Sequence, residues 1–217
     1  MGMMTLGLEI GCLIPVALLL VAMPQRLYVL AAGVQTPVGW QVLNAVTSLG
    51  SGVVVVAAAN GTPLLIVMPA AVAACACGTI IYSDVRYFLI PDLCSLVVFA
   101  AGIVSAVTTG PLQAAAGSAV GGLMLLLVVY IGHLRGIEGM GFGDVKLGFA
   151  LGALLGPVAM AWALCLSSFA GLAWAFLAYV GRRQQFNVIP YGAALGAVAI
   201  VMLSAKVAGV SVEPSWL

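Results

Sequence analysis

Charge is what this sequence has least of. Only 6% of its 217 residues are charged, against 64% hydrophobic, and the mean hydropathy is +1.25. Soluble domains carry about 25% charged residues, so a water-soluble fold is excluded. A net charge of +1 gives neither the basic field of a nucleic-acid binder nor an acidic docking surface, and no nucleic-acid partner is expected. Histidine is also scarce. His133 is the single one, which leaves little from which to build a Ser-His pair or a metal-ligand cluster. The five cysteines (Cys12, Cys75, Cys77, Cys94, Cys165) contain no C-x-x-C, and Cys75-Ala76-Cys77 points its thiols to diverging helix faces. They read as small apolar residues, and neither a metal nor a cofactor is expected. A basic segment ahead of the first apolar run is missing too. Met4–Ala22 carries Glu9 and continues into Met23-Pro24-Gln25-Arg26 without a clear cleavage site, so it reads as a retained helix rather than a signal peptide.

What the chain has is apolar length. A spanning helix needs about 20 apolar residues. Candidate spans are Met4–Ala22, a less certain Ala45–Ala59, Leu64–Tyr82, Leu93–Thr109, Gln113–Gly132, a 145–181 run long enough for a hairpin, and Pro190–Gly209. Turn signals fall between them at Asn60-Gly61-Thr62-Pro63, Gly110-Pro111 and Gly156-Pro157. The expected fold is an all-α polytopic transmembrane bundle of about seven (six to eight) helices. Residues 1–63 form an N-terminal helical part with a polar loop, 64–209 a core, and 210–217 a tail. Val145–Leu155 covers only about 16 Å, well short of a ~30 Å hydrocarbon core. Either Asp144 starts below the membrane surface, or the hairpin bends later than Gly156.

Seven passes place Arg26, Arg86, Arg135, Lys146, Arg182 and Arg183 on one face, with only Lys206 on the other. The basic excess marks that face as cytoplasmic. Two acidic loops share it. One is Tyr82-Ser83-Asp84-Val85-Arg86, leading to Ile90-Pro91-Asp92. The other is Gly139-Met140-Gly141-Phe142-Gly143-Asp144-Val145-Lys146-Leu147. An acid at mid-bilayer costs about 2.5–3.5 kcal/mol even on the gentler insertion scales, so Asp84 and Asp144 are functional candidates.

Two carboxylates held close cannot both ionise cheaply, so they share a proton. The ionised member takes a proton from water while the other donates to a carbonyl oxygen, which is general acid–base peptide hydrolysis. Gly141 and Gly143, lacking Cβ atoms, let a substrate backbone lie close and let the local chain take φ > 0. Taken alone, G-x-G-D is a weak signal, since Asp at a helix N-terminus is also a common cap. The stripe Gly148-x3-Gly152-x3-Gly156 and the pairs Gly117/Gly121 and Gly192/Gly196 read as close-packing faces. Glu9 reads as snorkelling or structurally paired. Asp92 reads as a helix cap after Pro91. Arg86 and Lys146 either steer the acids or anchor helix ends.

These motifs, with Ile189-Pro190-Tyr191-Gly192 after them, resemble the type IV prepilin peptidases, a group of G-x-G-D intramembrane aspartyl proteases. The resemblance covers Leu64 to Gly209, about two thirds of the chain. It implies that Asp84 and Asp144 are the catalytic pair at the cytoplasmic ends of transmembrane helices. Gly141, Gly143, Arg86, Lys146 and Pro190 would support the substrate. The substrate would be a prepilin or pseudopilin, cut after a short basic leader just before its apolar helix. The setting implied is a prokaryotic plasma membrane, with a pilus or secretion machine as partner. Larger members carry an early cytoplasmic insert with paired C-x-x-C motifs linked to N-methylation. Met23–Asn44 here is short and cysteine-free, so a protease without methyl transfer is expected. Two other readings stand beside this one: a proton-coupled transporter or channel using the same acids, and a non-catalytic subunit of a pilus or secretion machine.

Overall fold

The computed structural model describes residues 64–136, 140–182 and 189–208. Six helices run through them: α1 (Leu64–Tyr87), α2 (Asp92–Thr109), α3 (Pro111–Leu134), α4 (Phe142–Leu155), α5 (Pro157–Arg182) and α6 (Tyr191–Val207). Among the described residues there is no strand. By length and composition α1, α2, α3 and α5 can each cross a membrane, and the chain is a multi-pass membrane protein. The expected runs Met4–Ala22 and Ala45–Ala59 lie outside the described residues, as do Glu9, Cys12, Arg26, Glu138, Gly139, Arg183 and the 210–217 tail.

The two turn signals inside the described residues, Gly110-Pro111 and Gly156-Pro157, are where the helices break, while Asn60-Gly61-Thr62-Pro63 lies outside those residues. Gly110 follows α2 with φ 96° and Gly156 follows α4 with φ 85°, a region glycine enters without strain. Pro111 and Pro157 then open α3 and α5, where a residue without an N–H loses nothing. The bend therefore lies at Gly156, and α4 is only 14 residues long. That is about 21 Å, too short to cross a ~30 Å core.

This short helix is the centre of the bundle. Val145, Leu147, Ala150, Leu151 and Leu154 on α4 are all buried, and the helix packs against α2, α3, α5 and α6. α1 packs on α2 and α6. Lipid tails are as apolar as leucine, so helices associate in a membrane through close packing rather than through expulsion of water. The glycine stripes supply that packing. A Cβ on Gly117 would run into the Gly152 carbonyl oxygen, and one on Gly121 into that of Gly148. The backbones of α3 and α4 touch along this seam. At the far end Lys206 Nζ donates to the Leu154 carbonyl at 2.9 Å, satisfying one of the free carbonyls in the last turn of α4.

One boundary differs from expectation. Ser83–Asp92 reads as a polar loop, but α1 continues through Asp84 to Tyr87 and the connection is only Phe88–Pro91. Polarity in the sequence marks where lipid ends, and none of Ser83–Tyr87 breaks a helix. Phe88 ends α1 with φ 53°, its N–H bonded to the Asp84 carbonyl at 2.9 Å.

Candidate active site

Asp84 lies in the last turn of α1, and Asp144 in the first turn of α4 behind its N-cap Gly141. Sixty residues of chain separate them, yet both side chains converge on one point, Gly192 in the first turn of α6. A Cβ built on Gly192 would sit 3.0 Å from Asp144 Oδ1 and 3.2 Å from Asp84 Oδ2. The two oxygens are therefore within about 6 Å of each other. Both residues are buried, at 6% and 7% exposure, so neither carboxylate is a solvated surface charge.

Their partners differ. Asp84 Oδ2 accepts the Ala193 N–H at 2.7 Å, and the Gly192 N–H is also directed at that carboxylate. These are among the N–H groups that a helix leaves free in its first turn, at the positive end of its dipole. Asp144 Oδ1 is buried and makes no hydrogen bond among the described residues. Ile90 lines the site as well. Its Cβ comes 3.2 Å from a Cβ built on Gly143 and the flexible tip of its side chain 2.6 Å from one built on Gly192, so glycine at both positions leaves it room.

In front of the acids is an open cleft of about 620 Å³, lined by Phe88, Leu89, Gly141, Gly143 and Ile189 as well as the two aspartates. That is the size of an ordinary ligand site. Phe88 and Leu89 are exposed at its rim, and a Cβ on Gly141 would meet nothing closer than 3.9 Å. The arrangement is a partly polar slot, floored by two coupled carboxyl groups and walled by apolar side chains. Among the described residues, no group of three or more His, Cys, Asp or Glu could hold a metal ion.

The other expected support residues divide. Gly141 and Gly143 line the cleft, but neither takes positive φ. Gly141 is extended at φ −78° and Gly143 is helical, so they provide space, not a special backbone turn. Lys146 lines the cleft but turns to Asp92, with Nζ 2.8 Å from Oδ1. Asp92 is thus an ion-pair partner and no cap, since α2 has Pro91 at its N-cap position and no side-chain capping bond. Arg86 is exposed, outside the cleft lining and without an ion pair among the described residues. Pro190 is the buried N-cap of α6, where it sets the start of the helix whose N–H groups meet Asp84. Sequence reasoning missed Gly192, Ala193 and Ile90 as parts of the site. The first and last stand inside the quoted motifs, which was the available signal.

Residues 71–176 match the type IV leader peptidase family. The match covers just under half of the 217-residue chain. The match takes in Asp84 and Asp144 and stops short of the α6 turn. The chain is also similar to prepilin leader peptidase/N-methyltransferases. It is 34% identical to that of Burkholderia pseudomallei (strain 1026b) over 119 residues, which is 52% of this chain and 38% of the relative. The figures are 35% over 116 residues for Aeromonas salmonicida (strain A449), covering 51% and 40%. For Neisseria gonorrhoeae they are 38% over 117 residues, covering 52% and 40%. Each alignment therefore spans less than half the length of the curated relative. No solved structure matches the chain significantly.

Proposed function

We propose that the chain is an intramembrane aspartyl endopeptidase that removes the leader from a prepilin or pseudopilin-like precursor, with Asp84 and Asp144 as its catalytic pair. The observation that carries this is the convergence of two buried carboxylates on Gly192, at the floor of a cleft open to an extended chain. The leader peptidase match over the same residues supports it.

In the chemistry that follows, the pair holds one proton between its carboxyl groups. The Ala193 and Gly192 N–H groups suit an ionised Asp84 better than the single Gly141 N–H suits an ionised Asp144, so the shared proton is placed on Asp144. Asp84 takes a proton from water as the water oxygen attacks the scissile carbonyl carbon. Asp144 donates its proton to the carbonyl oxygen, forming a neutral tetrahedral diol. Collapse of the diol breaks the C–N bond; the amine leaves with a proton from Asp84, and a hydroxyl proton returns to Asp144. The basic residues flanking the two acidic loops argue that the cleft opens on the cytoplasmic side of a prokaryotic plasma membrane. The N-methyltransferase half of the relatives' names remains a statement about them.

Asp84→Asn and Asp144→Asn proteins, purified in folded form and incubated with a prepilin, test the reading. Each is expected to lose cleavage altogether, while chelators leave the parent protein unaffected. Cleavage by either variant at the parental rate refutes the pair.

A further inference from the structure

Beside the cleft an apolar groove of about 860 Å³ runs between α2, α3 and α4. Leu96 and Phe99 form one wall, Leu123 and Leu126 the other, and Phe149 lies between them on α4. In a membrane protein such a face by itself reports only contact with lipid. Two further features set this groove apart.

The groove and the cleft are continuous. Asp92, Leu93 and Lys146 line both, so a chain leaving the acids for the groove passes over the Lys146–Asp92 ion pair. The groove also contains a polar group that lipid cannot satisfy. Ser95 lines it, is 6% exposed, and its hydroxyl has no hydrogen-bond partner among the described residues. A helical serine or threonine usually donates back to a carbonyl one turn earlier, as Thr79, Ser168 and Ser204 do in this bundle. Ser95 does not. A buried polar group without a partner is unfavourable, and an acyl chain offers it none.

We infer that this groove seats the substrate's own apolar helix, just beyond the scissile bond, and that a polar side chain of that helix hydrogen-bonds Ser95. Ser95 is three residues beyond Asp92 on α2, about 4.5 Å along the axis. The polar group on the substrate thus lies roughly one turn deeper than the ion pair. The groove explains how a peptidase with a small cleft selects precursors with a membrane helix, since the helix fixes the register of the bond above it. The inference rests on the peptidase reading given above.

The test is photocrosslinking. Benzoylphenylalanine replaces Leu96 or Leu123 in the Asp144→Asn protein, which is reconstituted in vesicles with a prepilin and illuminated. Leu172, outward on α5, serves as the control position. Crosslinks from 96 and 123 to the first turns of the prepilin's apolar helix, with none from 172, are expected. Crosslinks from 96 and 123 only to lipid, or only to the chain itself, overturn the inference. Crosslinking needs no catalysis, so the two readings fail separately. A prepilin that the parent protein cleaves but that leaves no crosslink removes the groove and spares the peptidase. A prepilin that the parent protein does not cleave removes the peptidase reading and the inference resting on it. Ser95→Ala breaks no bond within the protein, so the melting temperature should hold or rise while KM for the prepilin increases about tenfold. An unchanged KM overturns the polar contact.

Discussion

The Ala193 N–H donates to Asp84 Oδ2 at 2.7 Å, joining residues 109 positions apart in the chain. Through this bond α6 becomes a third wall of the acid pair, although the leader peptidase match ends before it. The same turn holds Gly192 against both carboxylates. Gly192→Ala is therefore predicted to impair the site without unfolding the bundle. Its methyl meets the flexible tip of Ile90 at 2.6 Å, which can move, and the two acidic oxygens at 3.0 and 3.2 Å, which must separate for it. The shift needed is a few tenths of an ångström, and since a full 1 Å misplacement of reacting groups can cost about a hundredfold in rate, about tenfold is expected here. Cleavage kinetics alongside a thermal melt check this: the rate should fall by about that factor with little change in melting temperature.

The start of α6 is itself tethered. Ser167, fully buried on α5, lies 3.0 Å from the Leu164 carbonyl and 2.9 Å from the Tyr191 hydroxyl. A serine has one proton to give. With that proton on Leu164, the Tyr191 hydroxyl is the donor to Ser167. Tyr191→Phe deletes one hydrogen bond, a loss of about 1 kcal/mol. It is expected to lower kcat severalfold with KM nearly unchanged, because it loosens the N–H groups that hold Asp84 and touches no substrate. A rise in KM at constant kcat would count against that role.

Much of this was legible in the sequence, for physical reasons specific to each feature. The acids at 84 and 144 stood out because lipid makes every charge conspicuous. The bend at Gly156-Pro157 was legible because those two residues act locally, one through φ and one through its missing N–H. The glycine stripes on α3 and α4 carried their spacing openly. Long-range choices were not legible. Asp92 next to Pro91 reads as a cap, and only the fold brings Lys146 within 2.8 Å of it. Gly141 and Gly143 suggest an unusual backbone, yet their purpose is room, at Gly143 for Ile90. Ser83, Asp84 and Arg86 suggest a loop because their polarity marks the end of the lipid, which is not the end of the helix.

The Lys146–Asp92 pair is solvent-exposed, with side chains 46% and 75% accessible, so little stability is expected from it. Exposed pairs are typically worth about 0–1 kcal/mol, less at high salt. Asp92→Asn should shift the melting temperature by no more than a degree or two, whereas loss of a buried pair would cost several times that. Its effect on cleavage is expected to be larger than its effect on stability, because the pair lies where the cleft meets the apolar groove. Melting curves and prepilin cleavage at two salt concentrations separate the two effects.

Gly152 on α4 and Gly110 in the turn between α2 and α3 should respond very differently to the same substitution. Gly152 faces Gly117 so closely that an added methyl runs into the Gly117 carbonyl oxygen, and Ser118 N is 2.8 Å away. Backbone cannot swing aside as a side chain can. Gly152→Ala must push α3 and α4 apart, and with them the first turn of α4 that carries Asp144. Gly110 has open space around its missing Cβ but takes φ 96°. Gly110→Ala therefore adds only backbone strain, about 1–3 kcal/mol. The prediction is a folded, cleaving Gly110→Ala protein with a modestly lowered melting temperature, and a Gly152→Ala protein that is poorly recovered from membranes and inactive. A Gly152→Ala protein that melts and cleaves like the parent would show that the α3–α4 seam is looser than this packing implies, and that the position of Asp144 does not depend on it.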